Sequence, residues 1–413
     1  MKLRIPSPAD VKNKTVLLRT DYNVPLTKKD GQVVVADDNR IQASLETIRF
    51  LMTHNANIII MSHLGRPEGK VNIEYSLRPV AERLSELLNL EVPIINLGEP
   101  VPDAPVSLLE NLRFDAGEES NEASFAKKLS QLGDVYINDA FSAAHRAHAS
   151  IVGITKHLPS FAGLAFAKEV EMLSELITKP KRPFVMVIGG KKISDKVGAV
   201  QNLAKIADAV LIGGGTANNF LKAEGIDVQK SYLEDSSPDA QKRKVNYVDL
   251  AEEMIEENRG DKLLLDGYIP LPKILMPIDV IAAPAPDSPK TEEIELVNGN
   301  HEQAQQKNLM YLDIGPRTVR LYKEVLQEAA TIFWNGPMGV FEEEAFAEGT
   351  VEIARAIAKS GAHTVLGGGD TIAAVQQFGL EGRYDYISAA GGAALEFLGG
   401  KELPGVKPLL VNY

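Results

Sequence analysis

Residues 183–190 read PFVMVIGG, an unbroken apolar run between Pro183 and the glycine pair Gly189-Gly190. A short continuous apolar segment bounded by turn residues fits a strand buried on both faces, and glycine at its end lets backbone amides come close to a phosphate. The pattern recurs as AVLIGGG (209–215), MYLDIG (310–315), TIFWNG (331–336) and TVLGGG (364–369). Lys192, Lys196, Glu342 and Asp370 follow these turns closely. Together the five segments predict one sheet edge that holds a polyphosphate and its metal.

The first half has the same rhythm with different punctuation. TVLLRT (15–20) leads to Asp21, NIIIMS (57–62) to His63, VSLLEN (106–111) to Arg113, and VYINDAF (135–141) to His145 and Arg146. Between the strands, 40–55 and 77–89 carry apolar residues at three- and four-residue spacing, as helices do. Strand and helix alternate, so the fold class is α/β, with doubly wound parallel sheets. FAKEVEMLSELITK (166–179), closed by Pro180 and Pro183, reads as a helix at the change from basic to glycine-rich strand ends, and so as the joint between two domains. An ordinary crossover helix would look the same. The charged stretch 225–261 predicts a surface helix over VDLAEEMIEENRG, and 284–308, with turn signals at 287–289 and 298–300, predicts a peripheral connection.

The 413 residues suffice for two domains; 44% are hydrophobic and 24% charged, with no apolar run of membrane-spanning length. MKLRIPSPADVKNK has no secretory apolar centre, so a cytoplasmic location is the default expectation. The absence of cysteine excludes disulfides and thiolate metal sites. A net charge of −12 opposes nonspecific nucleic-acid binding, yet permits a local basic pocket.

Neither G-x-x-x-x-G-K-[ST] nor G-x-G-x-x-G occurs, which disfavours P-loop ATPases and Rossmann dehydrogenases. In GGKKISDK (189–196), a helix starting near Ser194 would bring amides and ammonium groups together; a solvated helix end is the plainer alternative. In GGGDT (367–371), Asp370 could reach a hard cation such as Mg²⁺, or Asp370 or Thr371 could simply cap the next helix. Glu342 suits ribose hydroxyls, whereas the lone tryptophan, Trp334, fits a core role better than base stacking. Arg40, His63, Arg66, Arg113 and Arg146 would converge if their strands share one edge, offering guanidinium forks to a compact anion. Each arginine alone could equally be a surface ion-pair partner, and His63 and His145 could be structural hydrogen-bonders. No residue pair stands out as a base for an alcohol, which suits a carboxylate nucleophile that is already ionised.

With these segments in hand, the chain resembles phosphoglycerate kinases from end to end. The resemblance rests on DYNVP (21–25), SHLGRP (62–67), ENLRF (110–114), HRAHAS (145–150), GGKKISDK, NGPMGVFE (335–342), GGGDT, SAAGGAALEFL (388–398) and LPGV (403–406). It implies two Rossmann-like domains joined by a hinge helix: a phosphoglycerate-binding domain over 1–165 with 390–413 returning to it, and a nucleotide-binding domain over 166–389. It further implies that Asp21, Tyr22, Asn23, Arg40, His63, Leu64, Gly65, Arg66, Arg113 and Arg146 bind 3-phosphoglycerate or its acyl phosphate. Lys192, Lys196, Gly315, Asn335, Glu342, Gly368, Gly369, Asp370 and Thr371 would bind the nucleotide, with Asp370 at Mg²⁺ and with Arg40 and Lys192 catalytic. The expected partners are small molecules only, and the expected form is a monomer. Two departures accompany the match: Lys191 stands where the family commonly has a small residue, and 225–261 is unusually charged.

Overall fold

The computed structural model describes residues 1–236, 245–265, 269–296 and 308–411. The chain divides into two compact units, Met1–Glu171 with Glu402–Tyr413, and Met172–Lys401.

The first unit is built on six parallel strands: β1 (Thr15–Arg19), β2 (Asn57–Met61), β3 (Ile94–Ile95), β4 (Val106–Leu109), β5 (Val135–Asn138) and β6 (Ser160–Ala162), in the order β3-β4-β2-β1-β5-β6. Side chains alternate across the sheet: Val16, Leu18, Ile58 and Ile60 join the core on one face, Leu17, Ile59 and Met61 the core on the other. Both faces are therefore covered, which accounts for the unbroken apolar runs. Helix α1 (Asn39–Thr53) contributes Ile41, Leu45, Ile48 and Leu51 at helical spacing, and α2 (Arg78–Leu88) ends at Asn89 in the left-handed conformation (φ 53°). Chain order reverses between β1 and β5, where Arg19 lies level with Met61 and with Asn138. The residues that follow β1, β2 and β5 thus leave the sheet at one edge, beside the topological switch point where ligands of such folds sit.

Helix α3 (Leu164–Thr178) carries the chain from the first unit into the second. The second unit repeats the winding with β7 (Phe184–Ile188), β8 (Ala209–Ile212), β9 (Ile274–Leu275), β13 (Thr331–Asn335), β14 (His363–Gly367) and β15 (Tyr386–Ser388), in the order β9-β8-β7-β13-β14-β15. All neighbours are parallel. Asn335 lies level with Ile188 and Gly367, so the turns after β7, β13 and β14 also share an edge.

One of the five glycine-ended segments falls elsewhere. Met310–Ile314 (β12) pairs antiparallel with β10 (Asp279–Ala283), which also pairs with β11 (Glu292–Glu295), and this small sheet has its own core of Val280, Ala282, Ile294 and Tyr311. The expectation of a single glycine-rich edge is corrected to four segments plus this separate sheet. The peripheral connection expected over 284–308 contains β11, while its turn signal at 298–300 lies outside the described residues. The expected charged helix is α6 (Tyr247–Asn258), following α4 (Val197–Ile206) and α5 (Gly214–Ala223) and capped by Asn246 through the amides of Val248 and Asp249; residues 237–244 are not described.

The C-terminal return begins at Glu402. Residues 390–401, expected to return with the tail, belong to the second unit, where α9 (Gly392–Leu398), the helix after α7 (Pro316–Gln327) and α8 (Gly369–Gln377), packs on α4 and the Leu398 carbonyl accepts from Asn202 Nδ2 at 2.6 Å. Beyond it, Gly405 donates to the Ala144 carbonyl, and Arg4 and Val411 close a backbone clasp with Leu409 and Lys2.

Candidate active site

The edge beyond β1, β2, β4 and β5 in the first unit collects the predicted basic groups. Arg40, on the first turn of α1, donates from Nη1 to Asp21 Oδ2 at 2.9 Å and to the Asn23 carbonyl at 3.1 Å. Asp21 also accepts from the Ser142 hydroxyl and, at 3.0 Å, from the Asn23 amide. Burial works against ionising Asp21, but the charge of His63 when protonated, the Arg40 guanidinium and these hydrogen bonds outweigh it and hold the carboxyl below its ordinary range. Arg113 is 2% exposed; its Nη1 donates to the Gly65 carbonyl at 2.7 Å and its Nε pairs with Glu119 at 3.1 Å. Arg146 donates from Nε to His145 Nε2 at 3.2 Å, the structural role open to that histidine. Arg66 is exposed at the turn after β2.

His63 is 5% exposed and meets Arg19 Nη2 through Nδ1 at 3.2 Å. Its pKa lies well below the ordinary histidine value, first because of burial and then because Arg19, Arg113 and Arg146 repel a further charge. The same concentration of positive charge, with burial leading, drives His148 down to about 3. These guanidinium groups therefore form one electrostatic neighbourhood rather than scattered surface pairs.

Several predicted residues shape this edge through the backbone. The Tyr22 ring is fully buried and its hydroxyl shares a hydrogen bond with Ser44 at 2.7 Å, so this side chain belongs to the core. Leu64 is likewise buried, its carbonyl accepting from Asn111 Nδ2 at 2.7 Å. Asn23 Oδ1 accepts from the Gly65 amide at 2.9 Å. Gly65 has φ +62°, and a Cβ there would lie 2.3 Å from the Tyr75 ring.

In the second unit the loops after β7, β8 and β13 are tied to one another by backbone. Gly189 donates to Asn335, Gly190 to Pro337, Gly214 to Met338 and Thr216 to Gly190, all between 2.7 and 3.0 Å. Lys196 extends back over this loop, its Nζ 3.4 Å from the Lys192 carbonyl. Burial lowers its pKa, against the opposing pull of Asp195, Asp370 and Glu234. Lys196, at the N-cap of α4, is half-buried, with its ammonium turned back to the loop.

Helix α8 begins at Gly369 behind Gly368, whose φ of +95° only glycine tolerates, and no side chain caps it. Thr371 Oγ1 instead accepts from the Gly336 amide at 2.6 Å, and Asp370 is exposed with no hydrogen bond or ion pair among the described residues. The capping alternative therefore fails, and the first-turn amides of α8 have no partner within the helix. Glu342 is exposed on the loop after β13; on the same loop the Val340 amide donates to the Leu312 carbonyl at 2.9 Å. Asn335 is buried beneath Gly368, and Trp334 is fully buried with its indole N–H on the Gly336 carbonyl at 2.8 Å, in the core role.

Gly315 offers no open donor. Its amide donates to the Asp279 carbonyl, and the Asp279 carboxylate takes the next available amides, Arg317 and Thr318, at 2.9 and 2.7 Å. With Pro316 lacking an N–H, that turn has no open donor for a phosphate. Lys191 is exposed, its Nζ 5.1 Å from the centre of the Tyr232 ring.

Sequence reasoning missed Arg19, Ser142 and Glu234. Arg19 had a visible signal, an arginine closing an otherwise apolar buried strand. Ser142 and Glu234 had none, because their contacts with Asp21 and with the Ser194 amide (2.9 Å) span 121 and 40 residues.

A family model described as phosphoglycerate kinase matches residues 7–401. The phosphoglycerate kinase of Pelotomaculum thermopropionicum is 47% identical over 415 residues, and that of Moorella thermoacetica 45% over 411, each match covering 97% of both chains. Among solved structures, phosphoglycerate kinase from Coxiella burnetii has a TM-score of 0.82 at 39% identity, and that from Pyrococcus horikoshii 0.78 at 37%. Each covers 97% of this chain and 96% of its own. No described helix is long and apolar enough to cross a membrane. Sequence, fold and edge chemistry agree: the chain belongs to the phosphoglycerate kinase family, whose reaction is reversible phosphoryl transfer between 1,3-bisphosphoglycerate and ADP, giving 3-phosphoglycerate and ATP.

Proposed function

We propose that the first unit binds phosphoglycerate and the second binds the nucleotide, each at the sheet edge described above. On the first, Asp21, Asn23, Arg40, His63, Arg66, Arg113 and Arg146 hold 3-phosphoglycerate or its acyl phosphate, with Tyr22, Leu64 and Gly65 acting through the main chain. On the second, Lys192, Lys196, Gly368, Gly369, Asp370 and Thr371 take the phosphates, Glu342 takes the ribose and Asn335 supports the loop. Gly315 is left out because its turn has no free amide.

In the ATP-forming direction, a β-phosphate oxygen of ADP forms a bond to the acyl phosphorus while the bond from phosphorus to the carboxyl oxygen breaks. In reverse, the 3-phosphoglycerate carboxylate attacks the γ-phosphorus and ADP leaves. That carboxylate is ionised at neutral pH and needs positioning and charge neutralisation rather than a base. Arg40 and Lys192 supply positive charge to the passing phosphoryl oxygens. The donor set also suits Mg²⁺: Asp370 offers a free carboxylate beside open amides, and no cluster of three metal-ligating side chains exists among the described residues. A hard cation that shares phosphate oxygens needs few protein ligands, and Asp370 would hold it, bringing charge neutralisation to the phosphates.

Because donor and acceptor are assigned to different units, turnover requires the units to approach, with α3 and the returning tail as the hinge and water excluded from the acyl phosphate. Each wall is built from residues of a single unit, so the proposed form is a monomer. The observation that carries the reading is Arg40 held on Asp21 in one unit and, in the other, an uncapped α8 with the exposed Asp370 carboxylate in its first turn. Calorimetric titration tests it: Arg146→Ala should weaken 3-phosphoglycerate and spare MgADP, and Lys196→Ala should do the reverse. Loss of the same ligand in both variants would reject the assignment.

A further inference from the structure

We propose that Arg19 is a positioning residue that fixes His63 in its Nε2–H tautomer, so that the imidazole meets the substrate as a neutral hydrogen-bond donor. The second half of that statement rests on the reading of His63 as part of the phosphoglycerate wall.

Arg19 closes β1, is fully buried, and is committed at every nitrogen. Nε donates to Ser150 Oγ at 2.8 Å, Nη1 to the Thr20 carbonyl, and Nη2 faces His63 Nδ1 at 3.2 Å. A guanidinium has donors only and keeps its protons in a protein, so the atom it meets must present a lone pair. His63 Nδ1 is therefore unprotonated, and in a neutral ring the proton lies on Nε2.

The competing partner is Asp21, whose Oδ1 lies 3.9 Å from the same Nδ1 and would favour a proton there. That distance is too long for a hydrogen bond. The Asp21 oxygens are also already engaged by Arg40, Ser142 and the Asn23 amide. Doubly protonated His63 is disfavoured by burial and by three surrounding arginines, in keeping with the geometric argument.

Arg19 is itself held in place from behind. Ser150 donates a hydrogen bond from its hydroxyl to Glu118 Oε1 at 2.5 Å and from its amide to Oε2 at 3.0 Å, and Glu118 is fully buried. The chain Glu118–Ser150–Arg19–His63 thus runs from the interior of the first unit to its basic edge. An Nδ1–H ring would turn a lone pair toward an anion, whereas the Nε2–H ring offers a proton to a carboxylate or phosphate oxygen. Arg19 converts a side chain that could present either atom into one that presents a donor.

The test is nitrogen NMR on the full chain labelled with ¹⁵N-histidine, with His63→Gln to assign the signal. At neutral pH the wild-type ring should show Nδ1 bare and Nε2 protonated, and 3-phosphoglycerate should shift Nε2. Arg19→Met should mix the tautomers and raise KM for 3-phosphoglycerate ~10-fold, the scale of one hydrogen bond, with KM for MgATP unchanged; Arg19→Lys, which keeps a donor, should restore much of both. A wild-type proton on Nδ1, or a doubly protonated ring, overturns the proposal, and this result needs no folded variant. Equal KM losses in the Met and Lys variants with an unaltered His63 spectrum overturn it as well. The stated tautomer with nitrogens that ignore 3-phosphoglycerate would confirm the work of Arg19 while overturning the substrate-facing role, which separates the two failures.

Discussion

Arg40 Nη1 and Asp21 Oδ2 lie 2.9 Å apart, and Asp21 is anchored in turn by Ser142 and the Asn23 amide. The arginine assigned to the transferring phosphoryl group is therefore held before any substrate arrives. Arg40 remains about one-third exposed, so it is fixed in direction yet open to a ligand. A preset cation spares the site from reorganising its dipoles at the moment of reaction.

Replacing Arg40 with Ala should lower kcat by on the order of 10²–10³, the scale of a lost oxyanion donor. A coupled assay with MgATP and 3-phosphoglycerate measures it. Near-normal turnover would remove Arg40 from the chemistry.

Thr371→Val deletes the acceptor of the Gly336 amide while keeping the shape of the side chain. A buried N–H left without a partner costs roughly 1–3 kcal/mol. The variant should unfold at lower denaturant and show a raised KM for MgATP, with KM for 3-phosphoglycerate unaltered. A changed 3-phosphoglycerate KM with a normal MgATP KM would contradict the role given to this loop.

Gly336 has φ +95°, and an added Cβ would lie 2.3 Å from the Gly189 carbonyl oxygen. Gly336→Ala should cost about 2–5 kcal/mol from strain and overpacking together. Gly379 also has positive φ (+66°) but open space around it, so Gly379→Ala should cost only about 1–2 kcal/mol. Equal losses by chemical denaturation would deny the close approach of the two loops.

Asp139 sits at the start of α3, accepting from the Phe166 amide at 3.0 Å. Burial pushes its pKa up from 3.8 to about 6, with Thr47 and nearby amides offsetting only part of the shift. Between those values the unfolded chain has lost the proton and the folded chain retains it. Stability from this group therefore falls as pH rises from about 4 to about 6, by on the order of 3 kcal/mol, and is level above. Asp139→Asn removes the titration, so the wild-type advantage over the variant should shrink across that window. A difference between the two that does not vary with pH would refute the assignment.

The parallel sheets were legible because a strand covered on both faces must be apolar throughout, as Phe184–Ile188 and Ala209–Ile212 are. Met310–Ile314, apolar but for Asp313, also leads into a glycine yet pairs antiparallel; apolar runs report burial and say nothing of a partner's direction. Gly315 shows the same limit, since an open amide and one taken by Asp279 look alike in sequence. The basic edge was readable from His63, Arg113 and Arg146, which follow strands of the sheet, while Arg40 opens a helix. What fixes those groups was not: Ser142, Ser150 and Glu118 are ordinary residues whose importance comes from distant contacts. That Asp370 does not cap α8 was visible only in the fold, because whether a carboxylate caps a helix depends on where the helix begins, and α8 begins one residue before it.

A crystal structure with 3-phosphoglycerate and MgADP bound tests the central claim most directly. The account predicts 3-phosphoglycerate in contact with Arg40, Arg113 and Arg146 on the first unit, and the nucleotide phosphates on Lys196 and the α8 amides of the second, with Asp370 at the metal. Finding 3-phosphoglycerate away from all of these arginines, or the nucleotide on the first unit, would contradict it.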